Sequence, residues 1–202
     1  MRIASLFVIF ALSGVAHAAP EDADVGLTAG LSVGGGFGLG ELGAGFVPRL
    51  EVGVLLPPVD RMFEIVASLD WSAPSADGRV TDDARLAGEA SWTATHQALG
   101  LGLGVRARIP LEGRFRPNLA AGVRFHFYET ETEGAVGDAP FGTNAVQGTE
   151  VGFTLTLGGE LYVGPGALLL DVVFVVVPLD DLVFADTSST AIDALIGYRL
   201  FF

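Results

Sequence analysis

Apolar and polar residues alternate with a period of two over most of the chain. Between Leu99 and Ile109 every odd position is apolar, and every even position is glycine or arginine. Because successive side chains of a strand point to opposite faces, this pattern predicts strands with two unlike faces. A further stretch, residues 168–178, is apolar on both faces except at Asp171. The remaining alternating stretches begin at Val25, Phe46, Phe63, Phe115, Val151 and Ile192, which gives eight predicted strands.

Short and long connections alternate between these strands. Residues 57–61, 110–114 and 164–166 are short connections, whereas residues 34–45, 73–90, 129–149 and 179–189 are long and polar or glycine-rich. Strands of about 9–13 residues cross a bilayer when tilted, and outer-membrane barrels keep their short turns on one side. We therefore expect an all-β fold over residues 25–202, a closed eight-stranded antiparallel up-and-down transmembrane β-barrel. The alternative is a soluble exported sandwich or lipocalin-like barrel, with the apolar faces inward.

The first residues have the pattern of a secretory signal. Arg2 precedes an apolar run over residues 3–15, and Ala16-His17-Ala18 forms a small-x-small cleavage site. The run is shorter than the roughly 20 residues of a membrane-spanning helix. We expect residues 1–18 to be a cleaved signal peptide, followed by a short N-terminal segment over residues 19–24. An uncleaved anchor is the alternative.

Aromatic residues on the apolar faces concentrate near strand ends. Those near the long connections are Phe46, Trp71, Phe125, Phe127 and Phe153. Those near the short turns and the chain end are Phe63, Phe115, Tyr198 and Phe202. Rings at two levels are typical of the girdles that lie at both membrane interfaces.

Composition narrows the choice of partners. The chain of 202 residues is 50% hydrophobic, has a net charge of −13 and contains no cysteine, and its basic residues are all arginine. Nucleic-acid binding depends on basic contacts to phosphate, so this charge argues against such a partner. The absence of cysteine excludes disulfides and thiolate metal sites. We expect no cofactor.

The end of the chain carries a family resemblance. Tyr198, Leu200 and Phe202 place an apolar or aromatic residue at every second position up to a terminal aromatic. This resembles the terminal strand that outer-membrane proteins offer to the barrel assembly machinery. The whole pattern resembles the small eight-stranded family typified by the OmpA transmembrane domain and OmpX. The resemblance implies an outer-membrane location, with outer-membrane lipids, lipopolysaccharide and the assembly machinery as partners.

Acidic residues gather in the long connections. Glu129, Glu131 and Glu133 form a stripe, and further carboxylates are Asp77, Asp82, Asp83, Glu89, Asp180, Asp181 and Asp186. Carboxylate oxygens could hold divalent cations, which also bridge lipopolysaccharide phosphates. The alternative is a solvated charged surface. The glycine-rich residues 34–40 lack the ending of a nucleotide-binding loop, and we expect an outer loop or a kinked strand end.

Catalytic motifs are not found. Small barrel deacylases place a serine two residues after the catalytic histidine, but Ala98 follows His96 and Tyr128 follows His126 at that spacing. We expect no enzyme, and His126 is interpreted as a hydrogen-bonded interior histidine. A lipid-modifying enzyme is the least favoured of the functional hypotheses.

The polar faces carry matched charges. Six arginines, at positions 49, 106, 108, 116, 124 and 199, share these faces with Glu51, Glu64, Asp70, Glu160, Asp171 and Asp193. An eight-stranded barrel is wide enough only to be filled by side chains. Matched charges therefore predict a paired, filled lumen and a structural or interaction role at the cell surface. A narrow channel for small solutes is the alternative.

Hairpin register predicts particular ion pairs. If Leu56 lies opposite Phe63, Arg49 faces Asp70. If Ile109 is level with Phe63, Arg108 reaches Glu64, with Arg116 beside it. If Pro178 pairs with Ile192, Asp171 faces Arg199 and Glu160 lies alongside. Opposite charges at cross-strand positions stabilise a sheet.

Overall fold

The computed structural model describes residues 26–39, 42–56, 62–81, 89–177 and 190–202. The expected signal peptide, the segment 19–24, the turn at 57–61 and the connection 179–189 lie outside the described residues. Within the described part, regular structure is entirely β. No helix in that part is long and apolar enough to cross a membrane.

Nine strands make up the sheet. They are β1 (Gly26–Gly38), β2 (Ala44–Leu56), β3 (Phe63–Ser72), β4 (Ser75–Val80), β5 (Ala90–Arg108), β6 (Phe115–Val136), β7 (Ala139–Val163), β8 (Gly166–Val176) and β9 (Ala191–Phe201). Neighbours pair antiparallel throughout. β1 also pairs with β9, and this pairing closes the sheet into a barrel.

The nine strands occupy eight positions around the barrel, which we call walls. β3 and β4 both pair with β5, one after the other, and are separated only by Ala73 and Pro74. Proline has no N–H to donate, which favours an interruption at this point. The closed eight-walled barrel predicted from the alternation is confirmed.

Apolar side chains face outward around the barrel. Leu103 and Leu170 are more than half exposed, while the arginines and carboxylates of the same strands are buried inside. A continuous apolar exterior of this kind is a surface for lipid rather than water. The soluble alternative with inward apolar faces is therefore wrong.

Several expected loops are strands. β4 lies within the expected connection 73–90, and β1 continues through Gly34–Gly38 of the glycine-rich segment. β6 and β7 continue across residues 129–149, apart from a two-residue turn at Gly137 and Asp138. Gly137 has a φ of 59°, a conformation that glycine adopts readily. Residues 139–145 of β7 are exposed on both faces, so their polar composition does not require a loop.

The two ends of the barrel differ. The end that contains Gly26, Phe202 and the turn at 164–165 is called the turn end, and the opposite one the hairpin end. At the hairpin end, residues 90–97 of β5 extend beyond the last pairing with β3, with matching extensions of β6 and β7. Eight strand residues span roughly 26 Å. β4–β7 therefore form a protruding sheet at this end.

Candidate functional site in the barrel lumen

Charged side chains fill the inside of the barrel. Of the twelve interior charges expected from the sequence, eleven are buried and Arg116 is half-buried. The alternation places them there, because each lies on the face opposite the lipid-facing residues of its strand. The arrangement of these charges determines whether the lumen can conduct, bind or only support the fold.

Three arginines and three glutamates form a closed circuit, which we call the charge ring: Arg106, Arg108, Arg199, Glu51, Glu64 and Glu160. Arg106 contacts Glu51 at 2.9 Å and Glu64 at 3.2 Å. Arg108 contacts Glu64 at 2.7 Å and Glu160 at 2.8 Å. Arg199 completes the circuit by pairing with Glu160 and with Glu51. The ring is electrically neutral and spans the lumen.

One of these contacts crosses an intervening strand. Gly30 of β1 lies opposite Glu51 on one side and opposite Arg199 on the other. The Arg199 guanidinium passes over Gly30 and reaches Glu51 at 2.5 Å. A Cβ added at Gly30 would lie 3.6 Å from the Arg199 side chain, so a small residue at this position is enough for the pairing.

Further side-chain contacts lie beside the charge ring in the lumen. Thr28 donates a hydrogen bond to Glu64, and the Tyr162 hydroxyl donates one to Glu160 at 3.3 Å. The Tyr162 ring stacks on Phe201 with centroids 5.4 Å apart, and the Arg116 guanidinium lies 4.9 Å from the Tyr162 ring centre. These groups occupy the lumen at its turn end.

The expected pairs agree with the structure in part. Arg49 lies opposite Asp70 with 3.6 Å between the charged atoms, and Arg108 contacts Glu64. Arg116, however, lies opposite Glu160 on β7 and is not beside Glu64.

Two expected registers are wrong. Phe63 is level with Ala107 instead of Ile109, so Arg106 lies directly opposite Glu64. Asp171 lies opposite Leu195, and Arg199 lies opposite Ala167. The Asp171–Arg199 pair is therefore a mistaken assignment, because β8 and β9 are offset by four residues from the register assumed for them.

A second charged group lies nearer the hairpin end. Asp70 pairs with Arg49 at 3.6 Å and with Arg124 at 2.5 Å. The Arg124 guanidinium lies over Gly100, where a side chain would collide with it. Within the described part of the chain, neither Asp171 nor Asp193 forms an ion pair, although both are buried.

A cleft lies beyond this group at the hairpin end. His96, His126, Asp70, Arg124 and Asp193 contribute its polar lining. The His96 and His126 rings are stacked with centroids 5.8 Å apart, and His96 Nδ1 is 2.8 Å from the Thr130 hydroxyl. The expectation of a hydrogen-bonded His126 is wrong for the part of the chain that the structure describes, where neither ring nitrogen has a hydrogen-bond partner.

Seven of the nine aromatic residues singled out in the sequence lie on the exterior and are at least about one-third exposed, whereas Tyr198 and Phe202 are partly buried. The seven are Phe46, Trp71, Phe125, Phe127, Phe153, Phe63 and Phe115. In the last strand, the Tyr198 hydroxyl donates to the Val163 carbonyl at 2.8 Å. Phe202 exchanges two backbone hydrogen bonds with Leu27, at 2.9 Å and 3.2 Å. Leu200 lies opposite Ala29 of β1 and Gly166 of β8.

The acidic stripe lies on the protruding sheet. Glu131 and Glu133 are exposed on its outward face, and Glu129 accepts a hydrogen bond from Gln147 at 2.7 Å. Asp77 on β4 accepts one from Thr93, also at 2.7 Å. Over the described residues, no group of three or more histidine or acidic side chains is arranged to hold a metal ion.

Sequence reasoning missed how the ring is connected. Glu51 and Arg106 were recognised as interior charges, but no partner was assigned to either. The partners of Glu51, which are Arg106 and Arg199, each lie two walls away, beyond the reach of hairpin register. Arg106 also pairs with Glu64 directly opposite on β3, where the assumed register was wrong. Lumen glycines level with a charged residue on the next strand, as Gly30 is with Glu51, are the signal that could have revealed them.

No protein-family model and no curated protein matches the sequence. Solved structures do match. A major outer membrane protein from Thermus thermophilus is 14% identical, with a TM-score of 0.52, and the match covers 87% of this chain and 99% of that one. Neisserial surface protein A is 12% identical, with a TM-score of 0.48 and coverage of 89% and 96%. The N-terminal barrel domain of Pseudomonas aeruginosa OprF is 12% identical, with a TM-score of 0.46 and coverage of 88% and 97%. At such identities the likeness concerns fold alone, and this chain has the fold of a small outer-membrane β-barrel.

Proposed function

We propose that this protein is a non-conducting outer-membrane barrel that anchors the protruding sheet at the cell surface. The observation that carries the proposal is the charge ring, which closes the lumen with three arginines and three glutamates. Tyr162 and Phe201 fill the space beside it. An ion crossing the barrel would have to separate buried ion pairs, and such separation costs several kcal/mol.

The protruding sheet is the part suited to interaction. In outer-membrane barrels the longer connections face the cell exterior, so the hairpin end would lie outside. Its outward face carries the acidic stripe, Glu129, Glu131 and Glu133, of which the last two are exposed. We propose that these carboxylates face lipopolysaccharide phosphates through divalent cations, which prefer oxygen ligands.

Single-channel recording in planar bilayers tests whether the lumen is closed to ions. The intact protein should give no sustained conductance, and Arg199→Ala, which opens the charge ring, should give measurable opening events. Steady conductance of the intact protein would contradict a closed lumen and favour the alternative of a narrow channel.

Thermal unfolding in lipopolysaccharide-containing bilayers tests the proposed cation bridge between the carboxylates and lipopolysaccharide. Calcium should raise the unfolding temperature relative to EDTA, and replacement of Glu129, Glu131 and Glu133 by glutamine should remove most of that increase. Asp77→Asn is the matched control, since its carboxylate already accepts a hydrogen bond from Thr93. An equal calcium effect in the triple variant would refute the cation bridge and leave the closed barrel untouched.

A further inference from the structure

The cleft at the hairpin end is small and is apolar on one side. Glycines such as Gly36 and Gly45 form part of its wall, and Val47 and Val175 contribute an apolar side. It encloses about 40 Å³ of space for small molecules, and a single water needs about 10–15 Å³ by the same measure. The charge ring lies further along the lumen. A molecule that enters from the hairpin end would therefore be held in the cleft and could not cross the barrel.

His126 lines this cleft. It is 98% buried, yet neither ring nitrogen has a hydrogen-bond partner among the described residues. Buried polar atoms are nearly always paired, because leaving one unpaired costs free energy. A neutral imidazole offers one N–H donor and one acceptor lone pair. The described residues therefore leave both ring nitrogens available to a ligand in the cleft.

The charge balance indicates the sign of the ligand. The charge ring is neutral by itself. Toward the hairpin end, Arg49 and Arg124 are both paired with Asp70. Asp193 lines the cleft without an ion pair among the described residues. The charged group of the cleft that has no partner is therefore a carboxylate, and an anion is disfavoured.

We propose that the cleft binds a small protonated primary amine. The ammonium group has three N–H donors. It would donate to the Asp193 carboxylate and to the His126 lone pair, while a short alkyl group would pack against Val47 and Val175. A hard metal ion fits less well, because calcium takes six or more oxygen ligands and Asp70 is already held by two arginines.

Saturation-transfer NMR with methylammonium chloride as the probe tests the proposal on the full-length barrel in detergent micelles. Sodium chloride keeps the ionic strength constant. Binding should saturate with a Kd below about 10 mM. Asp193→Asn should raise the Kd about tenfold or more, because a charge-assisted hydrogen bond is lost. Asp171→Asn is the matched control, since Asp171 is also buried and has no ion pair among the described residues, but does not line the cleft.

Two further measurements keep the outcome decisive. Tetramethylammonium has the same charge but no N–H donor, and it should not saturate. If Asp193→Asn fails to fold, as judged by heat-dependent gel mobility, His126→Leu should lower methylammonium affinity instead. Absence of saturation with methylammonium, equal saturation with tetramethylammonium, or unchanged affinity in the cleft variant would overturn the proposal. The cleft would then hold only water.

Discussion

Arg199 and Glu51 are 148 residues apart in sequence, and their side chains meet at 2.5 Å inside the barrel. Arg199 is on the last strand and Glu51 on the second, with Gly30 of β1 between them. This contact depends on the pairing of β1 with β9, so it forms only when the sheet closes. The ion pair therefore links the completion of the charge ring to the closure of the barrel.

Arg199→Ala should destabilise the barrel strongly. The substitution leaves Glu51 and Glu160 without one of their arginines, and loss of one partner from a buried pair costs about 3–5 kcal/mol. Arg79→Ala is the control, because Arg79 pairs with Glu89 in an exposed position where such pairs contribute about 0–1 kcal/mol. Urea unfolding in lipid vesicles measures both. Equal losses would mean that the charge ring does not stabilise the fold.

Gly53→Ala should also disturb the ring, although it adds only one methyl group. A Cβ at Gly53 would collide with the Glu64 carboxylate and lie 2.6 Å from the Thr28 hydroxyl oxygen. Overpacking of this kind costs about 1–3 kcal/mol. At Gly30, the nearest atom to an added Cβ is 3.6 Å away, an ordinary contact. Gly30→Ala should therefore lower the free energy of unfolding much less in the same assay.

Asp70 should contribute more to the stability of the barrel than Arg49, its cross-strand partner. Asp70→Ala leaves both Arg49 and Arg124 without their carboxylate, whereas Arg49→Ala leaves Asp70 paired with Arg124. We expect the larger loss of unfolding free energy for Asp70→Ala. Exchange of the two residues, Arg49→Asp with Asp70→Arg, should restore stability poorly, because the new arginine would lie beside Arg124. Full restoration in a double-mutant cycle would show that Arg124 is not part of this group.

The sequence predicted the faces of the strands better than their offsets. Alternation assigns Leu103 to lipid and Arg106 to the lumen with no knowledge of neighbouring strands. Register could be inferred for β2 and β3, where a short connection restricts the pairing, and Leu56 does lie opposite Phe63. Between β8 and β9 the connection is long, so its length sets no register, and the assumed offset was wrong.

The sequence pattern also did not predict contacts between side chains of non-adjacent strands. Hairpin register compares adjacent strands only, but arginine is long enough to cross an intervening strand that carries glycine. Arg199 does this over Gly30, and Arg124 does it over Gly100 to reach Asp70. The cleft was not predicted, since it depends on how several walls meet at the hairpin end.

Phe202 should affect assembly more than stability. Its two hydrogen bonds to Leu27 are made by backbone atoms and survive a change of side chain. If the ring is the feature recognised by the barrel assembly machinery, Phe202→Ser should slow insertion into the outer membrane and leave export intact. Phe202→Leu, which keeps an apolar side chain, should be less affected. Pulse-labelled cells fractionated over time provide the measurement, and equal insertion rates for both variants and the intact protein would reject the role.

Leu103→Arg tests whether the apolar exterior faces lipid. Leu103 is 61% exposed and lies opposite Ala67, midway along β3 between Phe63 and Trp71. An arginine at the middle of a bilayer costs a transmembrane barrel about 2–4 kcal/mol. The same substitution on a surface exposed to water would cost little, since the side chain would be solvated. Urea unfolding should therefore show a large loss of stability in lipid vesicles. Leu111→Arg, in the turn that follows β5, should be nearly neutral because charged residues near the membrane interface cost about 0–1 kcal/mol. A neutral result for Leu103→Arg in vesicles would place this surface outside the membrane, whatever the fold.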